Sequence, residues 1–285
     1  MTYLAYRMLA RFAEVLPMSA IGPVSNLVAR LALLTRRKQA RLVRRHLQRA
    51  QRFDPSPDQV RAAFASYVRY WLESFRLPVV PAEILAKQVT VKGYEKVESA
   101  VAEGKGVVFA LPHMGNWDAA GAWLTARGLP LTVVVERLEP PKLSKWFMEF
   151  RKSMGFSVVF NDSRVAASLT SALKRNEAIA LLCDRDVDST GMPVEFFDEV
   201  TTLPRGPALL ARRTGAALFP VATYVTPTGY ELVVDEPVAS QRSNDAKADV
   251  VECTKELTAR IEKLIEAAPE QWHLFQPNWP SERSR

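Results

Sequence analysis

Three histidines occur in the 285 residues, at positions 46, 113 and 273, and one of them stands where an imidazole could serve as a base. His113 follows the apolar run from Val107 to Leu111 and Pro112. It precedes a Gly115-Asn116 turn and the apolar, helix-length segment 119–126. That order reads as a buried parallel strand, a tight turn and the first turn of a helix, and open α/β sheets carry their reactive groups at such a carboxyl end. Asp118 falls near the helix start, five positions after His113. The spacing is wrong for one helical face, where neighbours lie three or four apart. Across the corner, however, the carboxylate could hold one ring N–H while the other nitrogen accepts a proton. The same spacing fits a structural histidine beside a turn and an aspartate that only caps a helix. Spacing alone leaves both readings open.

Other strand ends share this rim. The run ending at Val135 gives way to Glu136-Arg137, and the run ending at Cys183 gives way to Asp184-Arg185-Asp186. Charged groups at three strand ends suit a crevice, and solvated loops would look similar. Cys183 and Cys253 are too few to hold a metal and have no pairing pattern, and the histidines are too scattered to help them. No metal site and no phosphate-binding loop is therefore expected.

The net charge of +7 is unevenly spread. Residues 1–52 hold eleven Arg or Lys and one acid, Glu14, for a local +10, and the remainder is −3. A one-sided basic region points to an anionic partner surface, phospholipid or nucleic acid. Tyr3 to Leu16 suits a helix with a polar stripe of Arg7, Arg11 and Glu14 and a wide apolar arc, as in helices that lie in a membrane interface. The alternative is a helix packed on the protein core. No run of about 18 apolar residues escapes a charge, so no transmembrane span is expected. A second helix over 24–34 and a third, opened by Thr35 and carrying Arg41, Arg44 and Arg45 among eight cations, complete a basic arm. Each cation near anionic head groups would contribute up to about 1 kcal/mol. A basic arm could also hold nucleic acid through phosphates. Interleaved exposed aromatics and a recognition motif are missing, so no nucleic acid partner is expected.

Ser56-Pro57-Asp58-Gln59 has the spacing of a capping box with proline in the first turn. Beyond residue 88, short apolar runs alternate with helical segments, which predicts an α/β fold. The central sheet is expected to be mixed and mostly parallel, flanked by helices, behind an N-terminal helical membrane-binding region. One domain over 1–285 is expected, with a basic helical part (1–78) and an α/β core (79–285).

His113-Met114-Gly115-Asn116-Trp117-Asp118 resembles the His-x4-Asp motif of glycerolipid-type acyltransferases, in the form typical of the lipid A and phosphatidylinositol mannoside acyltransferases. Further matching blocks are Asp184-Arg185-Asp186, Pro204-Arg205-Gly206-Pro207-Ala208 and Pro269 through Trp279. The ending Leu274-Phe275-Gln276-Pro277-Asn278-Trp279 is more similar to the mannoside branch. One departure is Asp184, where the family often has Glu.

The resemblance implies transfer of a long acyl chain from acyl-CoA, or an acyl carrier protein, to a sugar hydroxyl of a glycophospholipid, without a cofactor. The alternatives are a lipid A-type or lysophospholipid acceptor. It implies His113 as base and Asp118 as its orienting carboxylate. Acceptor binding would fall to Glu136, Arg137, Arg151, Asp184 and Arg185, and the turn at Gly115 and Asn116 would lie near the oxyanion. The expected location is peripheral, on the cytoplasmic face of the plasma membrane.

Overall fold

The computed structural model describes residues 2–240 and 242–283. Four helices come first: α1 (Thr2–Val15), α2 (Met18–Thr35), α3 (Arg37–Gln51) and α4 (Pro57–Arg76). Next come α5 (Ala82–Gln88), β1 (Val89–Lys92), α6 (Tyr94–Ala102), β2 (Val107–Leu111), α7 (Trp117–Ala126) and β3 (Leu131–Val135). The chain continues through α8 (Pro141–Ser153), β4 (Phe156–Phe160), α9 (Val165–Lys174) and β5 (Ala178–Leu182). A hairpin of β6 (Met192–Phe196) and β7 (Glu199–Leu203) leads to α10 (Gly206–Thr214), β8 (Ala217–Val225) and β9 (Tyr230–Val234). Helices α11 (Ala246–Glu266) and α12 (Pro280–Arg283) close the chain.

Seven strands form one sheet in the order β1-β9-β8-β2-β5-β3-β4, with only the β8–β9 pair antiparallel. This is the mixed, mostly parallel sheet that the alternation of elements predicts. Strand β2 is apolar throughout because both its faces are covered, and Val107, Val108 and Ala110 are fully buried. Side chains alternate between faces along a strand. Phe109, Ala180 and Val133 are aligned across β2, β5 and β3 on the face packed by α1, α4, α7 and α8. Val108, Ala110 and Ile179 meet α9, α10 and α11 on the other face.

The N-terminal arm is both a layer of the globule and an exposed surface. Tyr6, Ala10 and Ala13 of α1, and Leu16 just after it, join the main core, while Leu4, Met8, Phe12 and Val15 are exposed. Helix α2 buries Ile21, Ser25 and Ala29 and exposes Leu27, Leu31 and Leu34. Its 18 residues have a mean hydropathy of 1.3, enough by length and composition alone to cross a bilayer, although Arg30 interrupts them. Thr35 ends α2, bonding back to Leu31 and Ala32, instead of opening α3. The capping box forms as predicted: Ser56 Oγ accepts from the Gln59 N–H at 3.2 Å, and Gln59 Oε1 from the Ser56 N–H at 2.9 Å.

Two cations of α3, and Arg52 at its C-cap, are already paired with acids outside the helix. Arg44 meets Asp54, Arg49 meets Glu199, and Arg52 meets Asp198 and Glu266. Asp54 lies just past the run and Asp198, Glu199 and Glu266 are distant in sequence, which is why the run itself reads as uncompensated. Arg41 and Arg45 have no ion pair among the described residues.

Candidate active site

The corner between β2 and α7 is pinned by its glycine. Gly115 has φ +57°, and a Cβ there would lie 1.7 Å from the Thr223 carbonyl oxygen of β8. Its N–H donates to the Gln271 carbonyl at 3.0 Å. This threading turns His113 toward β5, the neighbour of β2 in the sheet. The His113 ring is 23% exposed, and its Nδ1 lies 2.7 Å from Asp184 Oδ1. Asp184 Oδ2 accepts the His113 backbone N–H at 3.0 Å and the Trp272 indole N–H at 2.8 Å.

Asp184, at the end of β5, is fully buried. Burial by itself would raise its pKa, but the charge of His113 and the bonds from His113 and Trp272 outweigh it and hold the carboxyl below its ordinary value. An ionised carboxylate only accepts, so Nδ1 carries the ring hydrogen and Nε2 is the basic atom. No hydrogen bond to Nε2 occurs among the described residues. The arrangement is that of a general base with its orienting group.

The carboxylate that orients His113 is therefore Asp184 and not Asp118. Asp118 is buried, accepts from the Tyr70 hydroxyl at 2.9 Å and lies 3.7 Å from Arg151 Nε. Burial, and then the nearby Asp118 charge, push the Tyr70 phenol well above its ordinary pKa, so it stays a donor. Asp118 thus ties α7 to α4 and α8. Asp184 in turn lies beneath the imidazole and is not an acceptor-binding group.

The other predicted residues separate into two groups. Glu136, Arg151 and Arg185 line the same cavity as His113, with Arg185 3.3 Å from Glu136. Arg137 does not line it; it pairs with Asp162 and covers the Phe160 ring. The Gly115 N–H is committed to Gln271, so Gly115 is a turn residue and not an oxyanion donor. Asn116 is a buried helix cap whose Oδ1 accepts from the Ala119 N–H and from Ser74 Oγ.

One residue of the site lies outside the sequence reading. His273 lines the cavity, donates its backbone N–H to the His113 carbonyl at 2.7 Å, and sets Nε2 2.9 Å from Ser66 Oγ. Burial, followed by the charge of His113, pulls its pKa down to about 3, so the ring is neutral. The available signal was a histidine inside the Pro269–Trp279 block, one of only three in the chain. His46 is structural: on the buried face of α3, it donates to the Leu274 carbonyl and pairs with Glu282. Cys183 is buried, and burial pushes its thiol well above the ordinary pKa, which leaves it a core residue rather than a nucleophile.

The cavity holds about 670 Å³, a volume ordinary for a small-molecule site. One lobe descends between α7 and the sheet, walled by Phe109, Val133, Ala180, Ala120 and Gly121. Small residues on α7 and at the middle of β5 leave this space open. A second lobe crosses the strand ends toward α9 and α10, past Leu169 and Leu210.

An imidazole with a buried carboxylate behind it thus stands beside a largely apolar chamber. The chain belongs to the bacterial lipid A biosynthesis acyltransferase family, whose model matches residues 1–281, and it is accordingly an acyltransferase. It is 39% identical over 234 residues to the phosphatidylinositol mannoside acyltransferase of Mycolicibacterium smegmatis, covering 81% of this chain and 75% of that protein. The protein of that name from Mycobacterium tuberculosis (strain H37Rv) is 38% identical over 250 residues, 85% and 78% of the two chains. A lipid A biosynthesis acyltransferase of Haemophilus influenzae is 26% identical over 191 residues, 66% and 58%.

Proposed function

We propose that the protein moves a long acyl chain from a thioester, acyl-CoA or an acyl carrier protein, to a sugar hydroxyl of a phosphatidylinositol mannoside. The observation that carries this reading is the free Nε2 of His113, backed by Asp184, at the mouth of the apolar lobe. The acyl chain lies in that lobe, which follows β3 from Val135 to Leu131, about 13 Å at the rise of a strand. His113 Nε2 takes the proton of the acceptor hydroxyl as its oxygen bonds to the thioester carbonyl carbon. The tetrahedral intermediate then collapses, the C–S bond breaks, and the imidazolium returns the proton to the leaving sulfur. No acyl-enzyme and no cofactor is needed. The first-turn N–H groups of α7, at the positive end of that helix, are the proposed stabilisers of the developing oxyanion.

Glu136, Arg185 and Arg151, at the rim, are the proposed acceptor contacts. The apolar face of Leu4, Met8, Phe12 and Val15, with Arg7, Arg11, Arg41 and Arg45, is the proposed dock for the cytoplasmic leaflet of the plasma membrane. Tyr6 of α1 lines the cavity and packs on Phe147 at 5.2 Å, so the docking face and the chamber share a helix. Purified protein with radiolabelled acyl-CoA and a panel of lysophosphatidic acid, lipid A precursors and phosphatidylinositol mannosides tests the proposal. Label is expected in the mannosides; label only in another acceptor would overturn the acceptor assignment.

A further inference from the structure

His113 and Asp184 stand on two strands, and the β2–β5 ladder that brings them together ends just short of both, where the Cys183 N–H donates to the Leu111 carbonyl at 3.0 Å. Beyond that point a third segment, 271–279, returns after α11 and holds each of them. The His273 N–H donates to the His113 carbonyl, and the Gln271 carbonyl accepts the Gly115 N–H. Asn278 Nδ2 donates to the Asp184 carbonyl at 3.1 Å. These bonds fix the backbone only. Among the described residues, the bond from this segment to the side chains of the pair is that of the Trp272 indole N–H to Asp184 Oδ2.

An aspartate carboxylate turns about a soft terminal torsion, so its plane has to be set from outside. Two donors converge on Oδ2 and leave Oδ1 facing Nδ1 of the imidazole. One of them, the His113 backbone N–H, belongs to the residue being oriented; the indole does not. Tryptophan suits this task, since its N–H donates and cannot accept. The ring is only 3% exposed, and Phe196, Phe197, His46 and Trp279 enclose it at centroid distances of 5.6 to 6.3 Å. His46 of α3 also bonds the Leu274 carbonyl at 2.8 Å, which anchors the segment on the N-terminal helices. We infer that Trp272 is a positioning residue: its indole N–H sets the plane of the Asp184 carboxylate, and through it the His113 ring. The inference rests on the reading of His113 as the base.

The test compares the full chain as wild type, Trp272→Phe and Trp272→benzothienylalanine, with thermal melts in parallel. In benzothienylalanine a sulfur replaces the N–H and the ring keeps its size, so the donor is lost without a cavity. The first readout needs no substrate. In proton NMR the Nδ1–H of His113, assigned by its loss in His113→Gln, should exchange with water faster in the benzothienylalanine protein. In steady-state transfer both variants should lose roughly tenfold or more in kcat, the worth of a hydrogen bond to a charged group, with KM for donor and acceptor unchanged. In an Asp184→Asn background neither should cost further rate, because the carboxylate through which Trp272 acts is gone; a packing defect would persist there. Unchanged exchange, an unchanged kcat in an active enzyme, or a loss carried in full into the Asp184→Asn background would each overturn the inference. Transfer by the wild type, measured separately, tests the function itself.

Discussion

Asp184→Asn should separate the fold of the site from its chemistry. Two donors, the His113 backbone N–H and the Trp272 indole N–H, converge on Oδ2, while only His113 Nδ1 faces Oδ1. An asparagine has one oxygen and one NH2 to place. Set at Oδ2, its oxygen keeps both fixed donors; the NH2 then faces Nδ1, which must give up its hydrogen. The ring changes tautomer, and Nε2 carries a proton where a base is needed. The alternative flip would point the NH2 at two buried donors, each left unsatisfied at about 1–3 kcal/mol. The inactive orientation is thus favoured. Transfer should fall roughly 1,000- to 10,000-fold, as where the carboxylate behind a catalytic imidazole is replaced by its amide. Stability should fall by only about 1–3 kcal/mol, for one weakened charged hydrogen bond. Steady-state transfer and urea melts measure the two, and nitrogen NMR of the ring reports the tautomer. A folded Asp184→Asn protein within tenfold of wild-type turnover would refute the assignment of Asp184 as the orienting group.

Two further outcomes are expected. His273 is held neutral with a pKa of about 3 against an unfolded value near 6.5, so its contribution is whole above pH 6.5 and drains away as the pH falls toward 3. Urea unfolding from pH 7 to pH 4 should show a loss of about 3 kcal/mol that a His273→Gln variant lacks; equal slopes would contradict the buried neutral ring. On anionic liposomes, Leu4→Ser with Phe12→Ser, or Arg41→Glu with Arg45→Glu, should weaken binding at least tenfold, and Arg44→Glu less, because Arg44 already pairs with Asp54. Unchanged partitioning of both double variants would make the arm a structural layer only. Point changes are preferred to removing residues 1–16, since Ala13 and Leu16 belong to the core.

Much of the fold was legible because periodicity is local. The runs 107–111, 131–135 and 217–225 each announce a strand by composition. The hairpin of β6 and β7 escaped because Pro193 and Glu195 interrupt its apolar pattern. The base of the site was legible for the same local reason, since a lone histidine ends an apolar run. Its partner was not. Asp118 is five residues away and Asp184 is 71, and only the β2–β5 pairing, Leu111 beside Leu182, brings the distant one closer. Strand order is decided by the packing of the whole sheet, and β3 and β4 intervene in sequence between those neighbours. His273 reaches the site in the same way, through the return of the chain after α11 and the bond from its N–H to the His113 carbonyl.

The most direct test of the central claim is single-turnover acyl transfer by His113→Ala beside the wild type, with long-chain acyl-CoA and a phosphatidylinositol mannoside. A sugar hydroxyl is a poor nucleophile at neutral pH, and Nε2 is the base placed to activate it. Transfer should slow by roughly 100- to 10,000-fold, the usual worth of general-base catalysis, while the melting transition and fatty acid binding persist. A folded His113→Ala protein that transfers at close to the wild-type rate would contradict the account.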